Sequence, residues 1–147
     1  MGEPKTVLAQ SFGHPLKPFS STRSTILLDY GNNLRAVINT NHDHDFGSRN
    51  QESFIKWEGT KGAIKARMGV LMDYPNGGPD QLQYCILGQD EKPQWKNKAL
   101  EGNWFPDAFV GSMSQLMHSD EDHKEKLLTH VEDAFKTMKL VERCFHR

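Results

Sequence analysis

Glu52 to Met68, ESFIKWEGTKGAIKARM, is the stretch that most limits what this chain can fold into. Ser53, Ile55 and Trp57 alternate with Phe54, Lys56 and Glu58, the period of two that a strand requires. After Thr60-Lys61 the alternation resumes, with Ile64, Ala66 and Met68 on one side and Ala63, Lys65 and Arg67 on the other. The pattern predicts a β-hairpin turning at Thr60-Lys61. Gly59 and Gly62 flank that turn and are expected to supply positive φ at low steric cost. A lone two-stranded hairpin is marginal in water, so further strands must join this one.

The rest of the chain supplies them. Lys5 to Phe12 reads as a first strand, ended by Gly13, Pro15 and Pro18. Thr25 to Tyr30 is a second, with Ile26, Leu28 and Tyr30 on one face. Gly31-Asn32-Asn33 is turn chemistry, since Gly and Asn tolerate left-handed φ. Leu34 to Asn41 returns with Leu34, Ala36 and Ile38 on one face and Arg35, Val37, Asn39 and Asn41 on the other. Asn41 to Asn50 is a polar connector. Beyond the central hairpin, Tyr74 to Asp80 is a Pro/Gly-rich loop, Leu82 to Leu87 a buried strand, and Gly88 to Lys98 irregular or an edge strand around Trp95. Pro106 suits the first turn of a helix, where its missing N–H costs nothing; Phe109, Met113, Leu116 and Met117 follow on one face. His118 to Lys126 is a charged linker. Thr129 and Glu132 form a capping box for a last helix, whose apolar stripe is Val131, Phe135, Met138, Val141 and Phe145. Hairpins first and helices last predict an α+β fold: one largely antiparallel open β-sheet with helices packed on one face. A chain of 147 residues fits a single domain, 1–147.

Composition excludes some classes. Eighteen Lys and Arg against nineteen Asp and Glu leave a net charge of −1, so no bulk field draws the chain to nucleic acid or an anionic membrane. Cys85 and Cys144 lie in apolar segments without metal spacing and read as two buried free thiols. No signal peptide, bilayer-length apolar run or N-x-S/T sequon is present, which predicts a cytoplasmic location. Met1-Gly2-Glu3-Pro4-Lys5-Thr6 fits the myristoylation pattern, but the pattern is short and no polybasic patch supports it, so it is read as chance.

The E-G-T-K-G turn after an amphipathic strand is similar to the C-terminal domain of the Gfo/Idh/MocA (glucose–fructose oxidoreductase/inositol dehydrogenase) family. Trp104-Phe105-Pro106-Asp107-Ala108-Phe109, the helix from Val131 to Glu142 and the opening Gly2-Glu3-Pro4-Lys5-Thr6-Val7 resemble the same family, all in family order. The resemblance implies an NAD(P)-dependent oxidoreductase acting on a sugar or polyol, and a homo-oligomer built through the open sheet face. It also implies that this chain is the substrate-binding and oligomerisation part, with the Rossmann domain absent. The sequence holds no G-x-G-x-x-G, so NAD or NADP would belong to the full-length enzyme, with no cofactor seat and no catalytic residue in this chain. Glu91-Lys92-Pro93 spells the family's lysine motif, but lies in a polar loop after the first two matched segments rather than before all of them, and is read as accidental.

His42-Asp43-His44-Asp45 is the sharpest local cluster. Two imidazoles two apart can chelate a metal, and H-x-H resembles the first cupin motif, yet the cupin glutamate and a second histidine motif are missing and a site needs three or four ligands. A polar loop hydrogen-bonding a polyol and an inert solvated loop are the competing readings. Asn39 and Asn41 are polyol contacts if their strand face lines the cleft. Trp104 stacking on a sugar ring with Asp107 accepting hydroxyl protons competes with core packing and a helix-dipole role. Trp57 has the same ambiguity, and His123 and His130 read as solvated. The substrate-binding candidates are therefore Asn39, Asn41, His42, His44, Trp104 and Asp107. The alternative to an oxidoreductase domain is a free-standing homo-oligomeric sugar-binding or assembly module; a metal-dependent enzyme on His42 and His44 is a minor third.

Overall fold

The computed structural model describes residues 2–14, 16, 23–42, 46, 50–69, 78–102, 107–118 and 130–145. Within them the chain passes through β1 (Thr6–Phe12), β2 (Arg23–Gly31), β3 (Leu34–Asn41), β4 (Ser53–Gly59), β5 (Gly62–Met68), β6 (Gln81–Ile86), β7 (Lys96–Lys98), a 3-10 turn (Asp107–Phe109), α1 (Val110–Met117) and α2 (Val131–Phe145). Every strand pair is antiparallel. The architecture is mixed α+β and dominated by sheet. The one sheet expected is instead two, ordered β1-β2-β3 and β4-β5-β6-β7. They fall in separate compact units, Met1–Asp45 with Leu128–Arg147, and Phe46–Leu127. The connector between β3 and β4 has no apolar alternation that would carry pairing from one strand to the other.

In the first unit the β2–β3 hairpin turns at Asn32 and Asn33, both left-handed with φ of 51° and 64°. Asparagine visits that region more cheaply than other side chains. Gly31, at φ 73°, donates its N–H to the Asp29 carboxylate at 2.7 Å. A bulge between Asp29 and Gly31 then shifts the register, so that Ile26 faces Ile38 and Leu28 faces Ala36. Along β1, Val7, Ala9 and Ser11 are half-buried while Thr6, Leu8, Gln10 and Phe12 are exposed. The covered face contains Leu28, 4% exposed, and the facing pair Ser11 and Ser24, whose hydroxyls lie 3.0 Å apart. Besides β2, β1 contacts α2.

The orientation of α2 departs from expectation. Its apolar stripe Val131, Phe135, Met138, Val141 and Phe145 is 41–81% exposed, whereas its half-buried positions are Leu140 and Cys144 on the other side of the cylinder. Arg143 donates to the Pro4 carbonyl at 3.4 Å, and Pro4 is buried. Holding the N-terminal segment therefore fixes the helix rotation, leaving the stripe outward. Cys144 is half-buried rather than buried, its thiol 3.3 Å from the Leu140 carbonyl. Thr129 of the expected capping box lies outside the described residues; the first turn closes through Asp133 and Ala134 N–H groups on the His130 carbonyl, both at 3.0 Å. His130 is also less exposed than expected, with a quarter of its side chain open and Nδ1 3.9 Å from Glu132.

In the second unit the central hairpin pairs Trp57 with Ile64 and Ile55 with Ala66 around Thr60-Lys61, as its alternation requires. The flanking glycines have another use than the one expected. Neither Gly59 nor Gly62 has positive φ. A Cβ on Gly62 would run into the Cys85 carbonyl of β6, and Leu87 donates to the Lys61 carbonyl at 2.9 Å. Gly62 is thus small because another backbone crosses it closely. Two cross-strand rows, Trp57–Ile64–Tyr84 and Ile55–Ala66–Leu82, make one face apolar. The reverse face carries a polar row, Lys56, Lys65, Gln83 and Asn97 in register, with Gln83 Nε2 donating to Asn97 Oδ1 at 2.9 Å, and beside it the row Glu58–Ala63–Cys85, whose cysteine is buried. The amphipathic 3-10 turn and α1 leave Phe109, Met113, Leu116 and Met117 all more than half exposed. Among the described residues only Pro4, Leu28 and Cys85 are buried, so much apolar surface of both sheets and both helices remains open.

Candidate functional site

Residues directly opposite in an antiparallel pair share a sheet face, with Cβ atoms roughly 5 Å apart. In the first unit that rule gathers a patch at one end of the open face. Arg23 lies between Phe12 on β1 and Asn41 on β3, and Thr25 lies between Gln10 and Asn39. Phe12, Gln10, Thr25, Asn39 and Asn41 are exposed and Arg23 is half-buried. Asn39 and Asn41 are thus brought together on an uncovered face. A third row, Leu8–Leu27–Val37, separates this polar end from Thr6, Asp29 and Arg35 at the other.

His42 sits just past the end of β3 and is exposed. The alternation that places Asn39 and Asn41 together would place His42 on the opposite face if the strand continued. The candidate histidine and the two asparagines therefore do not form one row. His44 lies outside the described residues, as does Trp104. Among the described residues no group of three or more His, Cys, Asp or Glu is arranged to hold a metal ion.

Asp107, in the second unit, opens the 3-10 turn that leads into α1. Its carboxylate lies over Gly102, where an added Cβ would come within 2.8 Å of Oδ2. Gly102 has φ of 79°, so a side chain there would be strained as well. Asp107 thus packs on the chain just before it. Trp57, 48% exposed, borders an apolar hollow of ≈ 400 Å³ with Gly59, Gly62, Ile64, Tyr84 and Ile86. That hollow offers almost no polar groups to orient a polyhydroxylated ligand. Glu91, Lys92 and Pro93 are exposed in the β6–β7 connection.

The resolved electrostatic perturbation is structural. Lys96 on β7 meets the Asp90 carboxylate at 2.8 Å, and this hydrogen bond, opposed in part by desolvation, raises the lysine above its ordinary 10.5. It ties the edge strand to the preceding turn.

Sequence reasoning singled out Asn39 and Asn41 but not Arg23, Gln10, Thr25 or Phe12 beside them. Parity alone could have suggested the shared face. The pairing of Arg23 with Asn41 and of Thr25 with Asn39 depended on the bulge between Asp29 and Gly31, whereas Phe12 and Gln10 follow from the unbroken β1–β2 ladder. No helix among the described residues is long and apolar enough to cross a membrane. Comparison with protein-family models, with curated proteins and with solved structures found no match.

Proposed function

We propose that the chain is the substrate-binding and oligomerisation domain of an NAD(P)-dependent sugar or polyol oxidoreductase of the Gfo/Idh/MocA type, acting with a separate nucleotide-binding domain. The observation that carries the reading is the open polar end of the first sheet. There Asn39 and Asn41 stand with Gln10 and Thr25 in cross-strand register, placing amides and a hydroxyl on one face of the sheet. Such groups donate and accept, as a polyol's hydroxyls do. The E-G-T-K-G turn lies in the β4–β5 hairpin and Val131 to Glu142 in α2. In this reading the domain forms the substrate wall, while hydride transfer needs nicotinamide held by the other domain.

The second sheet supports the assembly role. Its rows through Trp57, Ile64 and Ile55 leave large apolar side chains nearly half exposed on one face. Contiguous apolar surface of this kind marks an interaction site, and the resemblance names the occupant as another copy of the chain. The alternative, a free-standing homo-oligomeric sugar-binding or assembly module, keeps both surfaces and drops the redox partner.

Two titrations test the reading. Polyols and neutral sugars should shift the amide NMR signals of Asn39 and Asn41, and NADH should bind the isolated chain weakly or not at all. Tight NADH binding by this chain alone would contradict both the domain reading and its alternative. An Asn39→Ala, Asn41→Ala double variant that binds sugars as the parent does would remove the proposed wall.

A further inference from the structure

Arg23 is distinctive within the polar patch. Its Nε is buried and has no hydrogen-bond partner, the single such side-chain atom among the described residues. No carboxylate among the described residues forms an ion pair with it. A half-covered guanidinium whose Nε finds no hydrogen-bond partner among the described residues leaves a donor to be satisfied. Its surroundings are built for more than charge. The exposed Phe12 ring is directly opposite on one side, Asn41 on the other, with Gln10, Thr25 and Asn39 in the next row.

We propose that this patch binds an anionic sugar, with Arg23 taking its carboxylate or phosphate group. The proposal rests on the polyol-binding reading above and narrows it to a substrate class. Arginine pairs two oxygens of such a group through parallel N–H bonds, here from its two terminal Nη groups since Nε is buried, a match that a point charge cannot make. Phe12 supplies an apolar platform for the C–H face of a sugar ring, and Gln10, Thr25 and Asn39 bond its hydroxyls. An oxyanion at Arg23 supplies a counter-charge that no carboxylate among the described residues does. A neutral sugar leaves the cation as it was, so the patch discriminates by charge as well as by shape.

Calorimetric titration of the full chain with glucuronate, glucose 6-phosphate and glucose tests this, with acetate and inorganic phosphate as bare anions. A charge-assisted hydrogen bond of about 1.5–3 kcal/mol corresponds to anionic sugars binding roughly tenfold or more tighter than glucose. Arg23→Gln should bring that ratio to about one. Arg23→Lys, which keeps charge without the fork, should lose preference for glucuronate more than for glucose 6-phosphate, and it decides the matter if Arg23→Gln does not fold. Whichever anionic sugar binds better identifies the group as carboxylate or phosphate. Equal binding of all three sugars, or a preference that survives both variants, overturns the proposal and leaves polyol binding standing. Bare anions binding as well as their sugars would keep the Arg23 site and sink the polyol reading. No binding by a folded chain sinks both.

Discussion

Gly62 and Gly59 bracket the same turn, yet the structure gives them different burdens. A methyl group on Gly62 meets the Cys85 carbonyl, a backbone atom that cannot swing aside, whereas one on Gly59 meets nothing nearer than the Gly62 oxygen at 3.9 Å. Gly62→Ala should therefore cost about 1–3 kcal/mol, the range for overpacking. Gly59→Ala, at an ordinary φ, should be neutral or stabilise by about 0.4–1 kcal/mol through the unfolded chain. Chemical denaturation of both variants checks the contrast, and equal losses would refute the close crossing. Lys96 gives a second residue-scale test. Its ionisation is raised by Asp90, so the pair's contribution is whole below pH 10.5 and disappears as pH climbs through the raised folded value. NMR titration should find Lys96 deprotonating above its ordinary range, and Asp90→Asn should return it there.

Pairing within the elements was partly determined by pattern and partly by a local irregularity. Ile26, Leu28 and Tyr30 on β2 and Leu34, Ala36 and Ile38 on β3 each sit on one face, but an unbroken ladder from the two-residue Asn32-Asn33 turn would oppose Ile26 to Asn39. The two apolar sets would then lie on opposite faces of the sheet. The bulge between Asp29 and Gly31 reconciles turn and core, and in doing so sets Arg23 opposite Asn41 and Thr25 opposite Asn39. The candidate site thus inherits its register from the demands of the core. For α2 the period of its apolar stripe was legible and its direction was not. Because Phe135 and Met138 face outward in this chain, a Phe135→Ser, Met138→Ser double variant should change thermal stability by little, about 0.5 kcal/mol or less per site. Leu28→Ala should cost about 2–5 kcal/mol, as a buried leucine does. Melting curves of the two variants separate these cases; a large loss from the helix pair would mean that the stripe is covered in solution.

At the scale of the whole molecule the notable quantity is how little is buried: among the described residues, Leu28 and Cys85 are the only apolar side chains under a tenth exposed, apart from Pro4. Two sheets with so few buried side chains cannot rest on such cores as firmly as a sheet packed on both sides. Self-association would then stabilise the chain by mass action, and its melting temperature should rise with protein concentration. Light scattering should show an oligomer that Ile64→Glu converts to monomer, because a buried carboxylate opposite Trp57 and Tyr84 would have no partner. A concentration-independent monomer would remove the assembly role. What the sequence settled by itself was local: alternation located β2 to β5, apolar runs located β1 and β6, Asn32-Asn33 located a left-handed turn, and a 3.6-residue period located α2, since those signals arise between neighbours along the chain. Tertiary structure alone decided that there are two sheets, that Gly62 is a crossing point, that the stripe of α2 points outward, and that Arg23 joins Asn39 and Asn41. Each of these depends on which distant segments meet, and no residue carries that information within its own neighbourhood.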